Sequence, residues 1–139
     1  MNDVFMTLTI SLRVRSAVLS ADAITTGLGW VPTMMWSVGE AHRNPNGDSL
    51  GGIRDHSYAT FNLFRKQRTW LSDALGECAE KISPHRAFLK HIRDQGGSTE
   101  LFVGWFLERD GGDTLPHQLL LELGNLGLDL ALDVYPEGA

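Results

Sequence analysis

The chain has 139 residues, of which 42% are hydrophobic and 21% charged. That fits one globular domain over residues 1–139 with a core of its own, and it excludes a disordered or fibrous class. The net charge of −5 argues against nucleic-acid binding, because phosphate contacts need a positive surface. Cys78 is the sole cysteine, so neither an intrachain disulfide nor a cysteine-based zinc cluster is expected. The lone thiol, with no signal peptide and no bilayer-length apolar run in view, makes the cytoplasm, away from membranes, the expected location.

In chain order, Val4, Met6, Leu8, Ile10, Leu12 and Val14 alternate with polar or aromatic residues, the pattern of a half-buried strand. Ser20 is placed to cap a short helix through Ala23 and Ile24, which Gly27 and Gly29 end. Thr33–Val38 reads as a second, shorter strand after Pro32. Gly39–Ser57 is the least regular stretch, with a turn at Asn44-Pro45-Asn46-Gly47 and a Gly51-Gly52 pair, and reads as a long loop.

Tyr58–Arg65 returns to strand character, and Leu71, Ala74, Leu75, Cys78 and Ile82 share one helical face from about Thr69 to Ile82. Ser83-Pro84 restarts a helix whose apolar face is Phe88, Leu89 and Ile92, ended by Gly96-Gly97. Glu100–Leu107 is a strand candidate. Thr114 is placed to cap a last helix with Leu119, Leu120 and Leu123 on its face, and Leu128–Val134 alternates as a final strand. The order β-α-β-β-α-α-β-α-β predicts an α+β fold, a mainly antiparallel sheet with helices on one face, with a ferredoxin-like split β-α-β as one way to wind it. Leu8, Ile10, Leu12, Trp105, Leu130 and Leu132 are the expected core.

Three segments resemble an uncharacterised bacterial group, domain-of-unknown-function family 4279. They are the N-terminal strand leading into Ala23-Ile24 and Leu28-Gly29, then Pro32-Thr33 with Trp36 and Gly39, and the ending Leu126–Tyr135. The resemblance implies a fold and supplies no catalytic residues.

Among chemistry-bearing residues, the five histidines show no paired spacing that aims two ligands at one metal. No metal and no cofactor are expected. His42 and His56 flank the long loop and could meet there, with Asp48 or Asp55 as a third ligand, although loop histidines are more commonly solvated. Trp36 stands beside the same loop as a partly exposed aromatic. Asp129 and Asp133 share one face of the last strand, with Glu137 just beyond, and paired carboxylates can do acid/base work or bind a cation. Their alternation with leucines equally suits a solvent face. Trp36, His42, His56, Asp129 and Asp133 are therefore the candidate ligand-binding residues. Arg86, Lys90 and Arg93 read as a solvated basic stripe, and Cys78 as a buried, inert thiol.

Charge is uneven along the chain. Residues 1–95 carry eleven Lys/Arg against nine Asp/Glu, a net of +2, whereas residues 96–139 carry one Arg against eight acids, a net of −7. Such a one-signed segment suits simple solubility, and it can also steer a basic protein partner, with Glu108, Asp110 and Asp113 as free surface acids. Two functions of different class follow. One is a non-enzymatic protein-interaction domain, immunity-like in masking a basic toxin. The alternative is a small enzyme or ligand-binding domain with its pocket under the Gly39–Ser57 loop.

Overall fold

The computed structural model describes residues 3–136. In chain order its elements are β1 (Met6–Ser16), α1 (Ala21–Leu28), β2 (Met34–Trp36), β3 (Ala41–Arg43), β4 (Ser49–Ile53), β5 (Ser57–Arg68), α2 (Leu71–Ile82), a 3-10 turn (Ser83–His85), α3 (Arg86–Asp94), β6 (Ser98–Leu107), α4 (His117–Asn125) and β7 (Asp129–Pro136). Five strands form one sheet in the order β2-β5-β1-β6-β7, and β3-β4 form a separate ribbon. Strand β1 runs antiparallel to both β5 and β6, β2 antiparallel to β5, and β7 parallel to β6. Because β5 lies between β1 and β2 and opposes both, β1-α1-β2 is a split β-α-β unit. Strand β6 completes the ferredoxin-like order, and α4-β7 extends it by one strand.

The alternation in β1 sets the layers. Met6, Leu8, Ile10, Leu12 and Val14 are fully buried, and they share one core with Ile24 of α1, Leu75, Cys78 and Ile82 of α2, Leu89 and Ile92 of α3, and Leu119 and Leu123 of α4. All four helices therefore cover the same side of the sheet. Helix α1 ends as its sequence dictates: Ser20 Oγ accepts from Ala23 N at 3.1 Å, and Gly29 closes the helix at φ 73°.

Several expectations change. The Gly39–Ser57 stretch contains the β3-β4 ribbon, so it is not wholly a loop. Asn44 turns it, its side-chain oxygen accepting from Asn46 N and Asp48 N. The ribbon left no strand signal because Leu50 and Ile53 are exposed and no apolar side alternates with a polar one. Thr114 does not cap α4, which starts at His117 after Pro116 with no side-chain cap. Leu132 is 45% exposed because β7 is an edge strand beyond the helix layer, while Leu130 and Trp105 are half-buried against the core.

Arg93 is not part of a solvated stripe either. Its Nη1 donates to Thr99 Oγ1 at 3.0 Å and to the Leu126 carbonyl at 2.9 Å, and Thr99 Oγ1 donates to the Gly127 carbonyl. This network ties α3 and β6 to the turn before β7. A Cβ at Gly127, which sits at φ 71°, would collide with that guanidinium.

Ile10 is completely buried at the centre of the central strand. An aspartate there would lack any compensating charge, at a cost on the order of 3–5 kcal/mol, a large part of a small domain's stability. Ile10→Asp should abolish the cooperative thermal transition measured by circular dichroism. A variant melting cooperatively at the wild-type temperature would contradict the assignment of β1.

Candidate functional site

Among the described residues no helix covers the other face of the sheet. Strand β1 presents Thr7, Thr9, Ser11, Arg13 and Arg15 there, facing Tyr58, Thr60 and Asn62 of β5 on one side and Glu100, Phe102 and Phe106 of β6 on the other. Ser11 Oγ donates to Asn62 Oδ1 at 2.8 Å. Arg13 lies 3.7 Å over the Phe102 ring and pairs with Glu100 at 3.6 Å. Arg15 lies 5.0 Å over Tyr58, and Tyr58 stacks on Trp36 with centroids 4.6 Å apart. Arg54, entering from the ribbon, covers Trp36 at 3.8 Å. The result is a column, Arg54-Trp36-Tyr58-Arg15, in which each cation rests on an electron-rich ring face.

Trp36, His42 and His56 all belong to this end of the molecule. Trp36 is half-buried in β2, and its indole N–H is shielded from solvent with no acceptor among the described residues. His56 meets Trp36 edge-on at 6.3 Å, and its Nδ1 lies 2.5 Å from Asp55 Oδ1. That hydrogen bond, with the imidazole's charge, holds the Asp55 carboxyl below its usual range. His42 lies in β3, where strand alternation puts it on the opposite side of the ribbon from Ala41 and Arg43. Among the described residues no three His, Cys, Asp or Glu side chains converge on one point.

Asp129 and Asp133 stand on the opposite sheet edge, four strand spacings or about 19 Å away. The structure therefore divides the candidate residues between two places. In the β6-β7 register Asp129 is opposite Glu100 and Asp133 opposite Gly104. Tyr135 stacks on Phe106 at 4.7 Å and donates its hydroxyl to Asp133 Oδ2 at 2.6 Å, which raises the phenol's pKa. Glu137 lies outside the described residues.

Several acids of the C-terminal third are engaged within the chain. Glu108 forms an ion pair with Arg68, and Glu100 is paired with Arg13. Asp113 supports helix α2, which has Trp70 at its N-cap and no side-chain cap from that residue. Its Oδ2 accepts from Ser72 N at 2.7 Å. Glu108 and Asp113 are therefore not free surface acids, whereas Asp110 is exposed and forms no salt bridge among the described residues.

A different acidic surface takes their place. Asp73, Glu77 and Glu80 follow one another at helical spacing on the exposed face of α2, and Glu122 of α4 faces them across a groove whose floor includes Gly76. None of the four makes a salt bridge among the described residues. Leu121 of α4 is exposed at 63% next to Glu122, whereas Leu120, two residues from Glu122, is exposed on the other flank of the helix. The charge tally by sequence segment missed this groove, because Arg and Lys elsewhere in residues 1–95 cancel the acids of α2. The 73, 77, 80 spacing was the available signal. Cys78, on the inner side of the same helix, is fully buried, and desolvation pushes its thiol up to about 12, so it stays protonated and inert at neutral pH.

A family model described as Domain of unknown function (DUF4279) matches residues 6–137. Neither a curated protein nor a solved structure gives a significant match.

Asp113 offers a direct check on the helix layer beneath the groove. Asp113→Ala leaves the Ser72 amide without its side-chain acceptor and should lower the unfolding free energy by about 1 kcal/mol, the usual worth of a helix cap. Urea unfolding with an unchanged midpoint would show that Asp113 does not cap α2.

Proposed function

The chain belongs to the DUF4279 family, and from that premise we propose that it is a non-enzymatic protein-interaction domain that masks a basic protein partner, in the manner of an immunity protein. The observation that carries this reading is the α2-α4 groove, where Asp73, Glu77, Glu80 and Glu122 are free of internal salt bridges among the described residues. Unpaired carboxylates on a groove steer a cationic partner into place and speed its association. Leu121, exposed next to Glu122 on α4, supplies the apolar contact that charge alone lacks, because the affinity of an interface resides in a few desolvated anchors.

Gly76 adds support from a different direction. Glycine inside a helix costs about 1 kcal/mol relative to alanine, yet nothing lies within 4 Å of where its Cβ would be. Intramolecular packing gives no reason to keep it. A bare helix surface at the groove floor lets a partner's backbone approach closely.

The test pairs the domain with the basic product of an adjacent gene, the arrangement a masking protein requires. Glu77, Glu80 and Glu122 lie on the groove surface, so the triple reversal to lysine should melt cooperatively like the wild type. Its association rate should fall by about tenfold or more, with a shallower dependence on ionic strength. Gly76→Ala should raise the melting temperature and weaken the complex in the same assay. Wild-type association by the triple variant, with Gly76→Ala binding normally, would contradict this function.

A further inference from the structure

We propose that the cleft between strand β2 and the β3-β4 ribbon binds a small oxyanion, the carboxylate or phosphate group of a small molecule, through the guanidinium groups of Arg43 and Arg54, with Trp36 as its aromatic wall. The cleft has a volume of about 370 Å³ and is lined by Trp36, Glu40, Ala41, Arg43 and Arg54, within the range of small-molecule sites. It is on the open side of the molecule and independent of the α2-α4 groove.

The donors are held in place before any ligand arrives. Gly39 N donates to the Arg54 carbonyl at 2.8 Å and Arg54 N to the Glu40 carbonyl at 2.7 Å, so the base of the ribbon is fixed. Arg43 Nη1 donates to the Gly47 carbonyl and Arg54 Nη2 to the Arg43 carbonyl, which anchors both guanidinium groups by one nitrogen each. Stacking between Arg54 and Tyr58 fixes the Trp36 ring.

What these donors lack is an acceptor. Arg54 Nε and Trp36 Nε1 are both shielded from solvent and have no hydrogen-bond partner among the described residues. A donor that water cannot reach is equally closed to a ligand oxygen, so the nitrogens left to an anion are Arg43 Nη2 and Arg54 Nη1, which make no hydrogen bond among the described residues. Neither Arg43 nor Arg54 forms a salt bridge among the described residues. The one carboxylate lining the cleft, Glu40, is turned to the backbone, accepting from Ser37 N at 2.6 Å. Two cations without a counter-charge suit an anion with several oxygens, since guanidinium groups hold carboxylates and phosphates through paired charge-assisted bonds.

The test uses the full-length ¹⁵N-labelled protein and two probes, inorganic phosphate and acetate, each titrated at constant ionic strength made up with sodium chloride. The readout is the Trp36 indole resonance, identified by its loss in Trp36→Phe. A saturable shift is expected, with phosphate alone identifying a phosphate site, acetate alone a carboxylate site, and both a general oxyanion site. Arg43 is exposed and outside the aromatic column, so Arg43→Gln should keep the wild-type spectrum elsewhere while raising the dissociation constant about tenfold, as loss of one charge-assisted contact does. A shift that fails to saturate with either probe, or the same affinity in Arg43→Gln, would overturn the proposal.

Discussion

Strand β1 is hydrogen-bonded on both edges and has two faces of opposite character, and the rest of the molecule is arranged around that division. Five of its side chains, Met6, Leu8, Ile10, Leu12 and Val14, are wholly removed from solvent. Burial of that kind contributes on the order of 10 kcal/mol for the five together, comparable with the net stability of a whole small domain. A one-residue slip of β1 would carry Arg13 and Arg15 into the helix layer and turn Leu12 and Val14 outward, so the register is enforced by the core itself. Four helices are held on one side for the same reason. The other side stays open, since Arg13, Arg15 and Ser11 are satisfied there by rings, by Glu100 and by Asn62.

That division keeps two chemistries apart. Exposed carboxylates collect on the helical side, along α2 and α4, where the inner faces of both helices are already committed to the core. Arginines and aromatics collect on the open side near β2, where Trp36 and Tyr58 provide ring faces for Arg54 and Arg15. A protein partner on the acidic groove and a small anion in the ribbon cleft would occupy opposite faces of the sheet, so neither excludes the other. Among the described residues no helix is long and apolar enough to cross a membrane.

Much of this was legible in the sequence, and the gaps have physical causes. The two-residue period of β1, the Ser20 cap and Gly29 stop of α1, and the apolar face of α2 are local patterns, and each element formed where its pattern lies. The β3-β4 ribbon escaped because it is held by backbone bonds and the Asn44 turn, with no buried side to leave a periodic trace. Leu132 looked like a core residue because alternation reports a strand without saying whether helices reach far enough to cover it. Asp113 could not be recognised as the cap of α2, since only the tertiary fold brings it beside Ser72. Of the residues that line the ribbon cleft, Trp36 stood out in the sequence through its place beside the irregular stretch. Arg54 became a participant only once the ribbon folded back over Trp36.

The central claim is that one face of β1 carries stability and the other does not, and neighbouring residues on that strand test it most directly. Leu12 and Arg13 are adjacent in sequence and point to opposite sides of the sheet. Equilibrium urea unfolding of Leu12→Ala should show a loss of about 2–5 kcal/mol, the cost of emptying a core site. Arg13→Ala, which removes a partly exposed ion pair and one cation–ring contact, should lose no more than about 1 kcal/mol. Equal losses from the two substitutions, or a larger one from Arg13→Ala, would contradict the account.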